Sequence, residues 1–247
     1  MVNKHEVWEN IVDYDRQVVS VFKIDSKITE LINIIENKED KIVGDFGCGF
    51  GKAFKYLKDY KKVYGIDFSE NMLKHALKVK NNNVELIHDK IDSVTLPDKL
   101  DLALAVSSIT PNNLNQFYIE IQNILLNLKK RGFIYMTLPS FEAKTLSFQY
   151  SADLLFKDKN FQKNNIFNKI RKMEIEENYN SLGYFKTKEG DIQKHWLKEE
   201  ISERLKVIND IKFSIEKLEL DWEKQINNSN LKDRTKLWMW FVKIQKN

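Results

Sequence analysis

The 247 residues are 42% hydrophobic and 12% aromatic, enough to bury the core of one large α/β domain with an insertion, or of two small ones. The 40 basic and 36 acidic residues are interspersed and leave a formal charge of +4, which reads as a solvated surface rather than a phosphate footprint and disfavours a nucleic-acid partner. Apolar runs stop short of the ~20 residues that cross a bilayer, the N-terminus MVNKHEVWENI lacks the apolar stretch of a leader, and a lone cysteine, Cys48, excludes an internal disulfide or thiolate metal cluster. His5, His75, His88 and His195 show no metal-ligand spacing, so a soluble, cytoplasmic, metal-free protein is expected.

Residues 6–22 carry Trp8, Ile11, Val12, Val18, Val19 and Phe22 at helical spacing, with Tyr14-Asp15 among them. Ser26 can cap a second helix that presents Ile28, Leu31, Ile32 and Ile35, and the polar run Asn37–Asp40 ends it. The stretch Lys41–Lys52, KIVGDFGCGFGK, reads as a short buried strand, an acid (Asp45), and glycines at every second position: Gly47, Gly49 and Gly51. Such glycines let the backbone turn sharply and bring its N–H groups close to a ligand. A helix is expected at once after the loop, with Phe54 and Leu57 on its inner face and its N-terminus aimed at the same spot. The dinucleotide fingerprint G-x-G-x-x-G fails from either start, because the sixth position is Lys52 or Phe54.

Lys62–Asp67 reads as the second strand, and Asp67 ends it 20 residues after Gly47. A carboxylate there can accept both hydroxyls of a ribose; the plainer reading is a surface turn acid. Ser69 can cap a helix that buries Met72, Leu73, Ala76 and Leu77.

The glycine loop with Asp45 ahead of it, followed by IDFSENML, resembles the first two motifs of class I S-adenosylmethionine (SAM) dependent methyltransferases. The resemblance implies that Asp45, Gly47, Cys48, Gly49 and Gly51 hold the methionine half of SAM. It implies that Asp67 grips the ribose, with Phe68 and Met72 near the adenosine. In this family an acid just past the third strand, here Val84–His88, accepts the adenine amine. Asp89 occupies that position, Lys90 or Ile91 offers a backbone N–H to the ring, and Asp92 is the alternative acid. The Tyr14-Asp15 helix looks like the family's lid over the pocket, with an ordinary amphipathic helix as the rival reading.

Leu100–Val106 is a nearly all-apolar fourth strand, as one covered on both faces should be. The resemblance puts its end, Ser107-Ser108-Ile109-Thr110-Pro111, beside the transferable methyl group, with Ser107 in the donor site. That run lacks the Asp/Asn-Pro-Pro-aromatic motif of amino-methylating DNA enzymes. Cys48 stands in the wrong place for a cytosine-carbon nucleophile.

Leu114–Leu128 is an amphipathic helix, Lys129–Gly132 ends it, and Phe133–Leu138 is a fifth strand. Residues 141–196 are rich in aromatics, with helices expected around Lys144–Phe156 and Ile166–Glu177. They read as a substrate cover, against extra packing or a homodimer contact. A helix from Lys198 and strands at Phe213–Trp222 and Leu237–Ile244 complete the chain.

The expected fold is α/β: one domain over 1–247, a seven-stranded, mostly parallel, doubly wound sheet of order 3-2-1-4-5-7-6 with its last strand antiparallel and helices on both faces. A helical lid over 1–37 and a helical insertion over 141–196, after the fifth strand, accompany it. The expected reaction is in-line methyl transfer from SAM, leaving S-adenosylhomocysteine (SAH), to a small-molecule acceptor. A protein or RNA acceptor, and a non-catalytic SAM-binding subunit, are the alternatives. No covalent nucleophile is required, and a base is required only for a hydroxyl or a protonated amine. His195 is the candidate base, against an ordinary packed histidine, and Tyr14 is a candidate donor near the methyl group.

Overall fold

The computed structural model describes residues 26–157, 182–186, 192–220 and 234–247. Nine strands occur among them: β1 (Ile42–Phe46), β2 (Lys62–Asp67), β3 (Val84–His88), β4 (Leu100–Val106), β5 (Leu128–Pro139), β6 (Tyr184–Lys186), β7 (Ile192–Lys194), β8 (Ile211–Glu219) and β9 (Trp238–Lys246). The helices are α1 (Ser26–Asn33), α2 (Glu70–Val79), α3 (Leu114–Asn127), α4 (Phe141–Lys157) and α5 (Lys198–Lys206).

Seven strands form one sheet in the order β3-β2-β1-β4-β5-β9-β8. The first five are parallel, and β9 runs antiparallel to both β5 and β8. With β6 and β7 set aside as a separate two-stranded ribbon, this is the expected 3-2-1-4-5-7-6 order with the final strand reversed. The central strands read apolar on both sides because both faces are covered. On one face Phe117, Ile121 and Ile124 of α3 and Ile201 and Leu205 of α5 pack with Trp196 and Trp240; on the other, Ile28 and Ile32 of α1 join Phe54, Leu57 and Ala76. The outer strand β8 alternates half-buried Ile211, Phe213 and Ile215 with exposed Lys212, Ser214 and Glu216, which keeps an open edge charged.

Three expectations change. The helix expected after the glycine loop is only a 3-10 turn, Phe54–Tyr56. Fifteen residues separate Phe46 from Lys62, and the loop takes the first of them. The more extended 3-10 geometry, about 2.0 Å per residue against 1.5 Å, returns a short crossover to the far end of the sheet more readily. Phe54 and Leu57 are still fully buried, so the apolar pattern was correct and the helix type was not.

Second, β5 begins earlier than Phe133: Leu128 pairs with Leu100, and the register then jumps so that Leu102 faces Phe133. The residues between bulge out, with Arg131 in the left-handed region at φ 62°. Third, the insertion is not only helical. It contributes α4 and the β6–β7 ribbon, and parallel pairing of Trp196 with Ser140 ties it to the end of β5. The helices expected over 6–22 and Ile166–Glu177 lie outside the described residues, as does Tyr14.

Candidate functional site

The sheet order reverses between β1 and β4, and in open parallel sheets ligands bind outside the carboxyl ends of the strands at such a switch point. The glycine loop leaves β1 there. Gly47, Gly49 and Gly51 adopt φ of 75°, 51° and 75°, left-handed values that other residues rarely hold. At Gly47 space is short as well: a Cβ built there would lie 2.3 Å from the Cβ of Ser108. The N–H groups of Gly47 and Cys48 both donate to the carbonyl of Ile66, at 2.8 and 2.9 Å, so the turn is tied to the end of β2.

Asp67 continues that tie. Its Oδ2 accepts from the N–H of Gly49 and its Oδ1 from the N–H of Ser69, both at 2.9 Å. One carboxylate thus joins the middle of the glycine loop to the first residues beyond β2. Ser69 caps α2 as expected, accepting from the N–H of Met72 at 3.2 Å; Met72, Leu73 and Ala76 are buried, whereas Leu77, also expected inside, is 59% exposed.

Asp45 is also buried, one residue before the end of β1. Burial pushes its carboxyl up to about 7, and the neighbouring charge of Asp67 adds to the shift. Burial, with Asp45 and Asp67, also holds the Cys48 thiol well above its ordinary range, so this sulfur is a packed group rather than a reactive thiolate. Two acids, Asp45 and Asp67, converge behind three turn glycines. A pair of carboxylates suits a ligand with a positive end better than a pyrophosphate.

The adenine-side residues line up along the same edge. The N–H of Asp89 donates to the Asp67 carbonyl at 3.2 Å, and a ring nitrogen of His88 lies 2.8 Å from the Phe68 carbonyl. The N–H of Lys90 and the hydroxyl of Ser93 both donate to Asp89 Oδ1, at 2.7 and 3.2 Å. The Lys90 N–H is therefore turned to its own neighbour here. Ile91 packs against the α3-side core and its carbonyl accepts from Asn123, while Asp92 accepts from Gln116 at 2.8 Å. Of the two candidate acids, Asp89 is the one bonded to the Asp67 backbone.

At the end of β4, Ser107 has φ 56°, a left-handed value uncommon for serine. Thr137 on β5 holds it: Ser107 N–H donates to Thr137 Oγ1 at 2.9 Å and the two hydroxyls lie 3.2 Å apart. Ser107 and the glycine loop are thus brought together through Ser108. His195 is placed apart from them. It follows β7 and precedes Trp196, so it belongs to the end of β5, two strands and about 10 Å from β1. Burial lowers its imidazole to about 3, helped by Lys144 and Lys194.

Sequence reasoning missed two contacts. Phe50, inside the glycine loop, stacks on His75 of α2 with ring centroids 4.1 Å apart and planes 4° from parallel. Only an aromatic flanked by turn glycines signalled it. The second is Lys194, whose side chain is 1% exposed. Its ammonium donates to the carbonyls of Leu182 and His195 and, at 2.7 Å, to Glu200 on α5. Gly183 turns at φ 75° under it, where a Cβ would stand 2.6 Å from the His195 carbonyl. Among the described residues no group of histidine, cysteine and acid side chains is arranged to hold a metal, and no helix is long and apolar enough to cross a membrane.

Comparison with known proteins agrees with this geometry. Residues 43–128 match the family model of the methyltransferase domain. An uncharacterized protein of Methanocaldococcus jannaschii is 33% identical over 105 residues, which is 42% of this chain and 44% of that protein, so the match spans less than half of the relative's own length. Among solved structures, a SAM-dependent methyltransferase from Methanosarcina mazei aligns with a TM-score of 0.57 at 18% identity, covering 88% of this chain and 96% of the other. Magnesium protoporphyrin IX methyltransferase from Synechocystis, solved with SAM, gives 0.54 at 10% identity over 90% and 77%. The Burkholderia thailandensis 1,6-didemethyltoxoflavin N1-methyltransferase, solved with its substrate and SAH, gives 0.57 at 10% over 90% and 77%. At these identities the likeness is one of fold.

Proposed function

We propose that this chain, which matches the methyltransferase-domain model over residues 43–128 and builds a seven-stranded Rossmann-like sheet, transfers a methyl group from SAM to a small-molecule acceptor. The observation that carries the reading is the Asp67 carboxylate, bonded to the Gly49 N–H at the switch point with Asp45 buried beside it. When bound, the donor supplies an electrophilic methyl group on a sulfonium. The chain's task is to hold that group in line with an acceptor.

Each role follows from chemistry at a named position. Asp45, as a carboxylate, suits the ammonium of the methionine half. Asp67, at the end of β2, is the carboxylate for the two ribose hydroxyls. Asp89 is the acid for the adenine amine, with Phe68 and Met72 beside the adenosine. The strained Ser107 lies nearest the methyl side. Cys48, held protonated, forms no covalent intermediate. With its imidazole near 3, His195 is a weak general base, and we assign it no proton abstraction. The α4 and β6–β7 insertion, joined to the sheet at the end of β5, supports a covered site and hence a small acceptor.

Calorimetric titration with SAH tests the reading, with NAD as control. SAH should bind and NAD should not. Asp67→Ala should weaken SAH by about 2–4 kcal/mol, because it removes a charge-assisted pair of hydrogen bonds. A wild-type protein that ignores SAH overturns the assignment.

A further inference from the structure

The hydroxyl oxygen of Ser108 is buried and has no hydrogen-bond partner among the described residues. Native structures leave few such groups, and each calls for a physical account. The site is built rather than accidental. Ser108 presses on the first turn glycine so closely that no Cβ fits at Gly47. The preceding residue, Ser107, holds a left-handed backbone, and the hydrogen bond its N–H donates to Thr137 on β5 keeps it there. Strain held in place next to a ligand crevice is a mark of pre-organisation.

The surrounding acids define what the hydroxyl is for. Asp45 and Asp67 are acceptors when ionised, so they serve an ammonium and ribose hydroxyls but repel a carboxylate. The amino-acid end of the donor carries both an ammonium and a carboxylate, and the second needs a donor. Resting on the donor reading above, we propose that Ser108 donates its hydroxyl to the carboxylate of the methionine half. It thereby selects a full amino-acid tail over one without a carboxylate.

Two probes isolate this contact: SAH, and its decarboxylated analogue S-adenosyl-3-thiopropylamine, which keeps the ammonium. Ser108→Ala should weaken SAH about tenfold, as for a hydrogen bond to a charged group, and leave the analogue within about twofold. The apo variant should melt no lower than wild type, because the change removes an unpaired buried hydroxyl. Unchanged SAH affinity overturns the proposal. Equal weakening of both probes, or a lower apo melting temperature, assigns Ser108 a structural role and overturns it too. If wild type binds neither probe, the donor reading itself falls, a result distinct from an unchanged variant.

Discussion

Two buried charge clusters in this chain are built on opposite plans. Around Lys194, the cation is answered from within the chain: two carbonyls and the Glu200 carboxylate receive its protons, and the rings of Tyr184 and Trp196 lie 5.3 and 4.8 Å from it. At the glycine crevice, burial and then the neighbouring Asp67 make the ionisation of Asp45 costlier. The first cluster closes the β6–β7 ribbon onto α5 and needs nothing more. On the proposed function, the second is where a ligand with a positive end would bind, and stability and function would then separate between the two clusters.

The largest expected effect is a pair of opposed pH slopes. The Asp45 carboxyl is raised from 3.8 to about 7, so the native state holds a proton that the unfolded chain releases, and stability falls as pH rises through that window. His195 is lowered from 6.5 to about 3, so the unfolded chain binds the proton first, and stability falls as pH drops through 6.5 towards 3. The two slopes oppose each other between about pH 4 and 6.5. Urea titrations from pH 4 to 7 read both slopes. Relative to wild type, Asp45→Asn should tilt the profile to rise more with pH, and His195→Gln should tilt it to fall. Three parallel profiles would refute both assignments.

Next in size, Lys194→Met should destabilise by about 3 kcal/mol, since it strands Glu200 and two carbonyls, yet leave SAH affinity unchanged. Denaturant midpoints and calorimetry on one preparation check both halves, and a loss of SAH binding would join the two clusters. The smallest effect sharpens the crevice: Phe50→Ala should cost about 1 kcal/mol of stability by removing the stack on His75. A thermal melt reads it directly.

Legibility in the sequence follows the same division. The sheet was readable because runs such as Leu100–Val106 carry their burial in their own composition. The crevice was readable because turn glycines and terminal acids are local signals. Ser69 capped its helix where the spacing put it. Lys194 was not readable: in the run Ile-Gln-Lys-His-Trp it looks solvated, and only Leu182 and Glu200, brought by the fold, make its burial tolerable. Nor was the 3-10 turn, because apolar spacing at Phe54 and Leu57 suits either helix and chain length decides between them. The Ser108 hydroxyl stood in a run placed beside the methyl group, where only Ser107 was singled out.

The brevity of the connection after Gly51 also limits how this scaffold could be repurposed. With one 3-10 turn in place of a full helix, no aligned column of peptide dipoles begins directly after the glycine loop to welcome phosphate. An engineer seeking a nicotinamide enzyme here would have to lengthen that crossover as well as replace Asp45, because removing the acid alone would leave a pyrophosphate nothing to rest on.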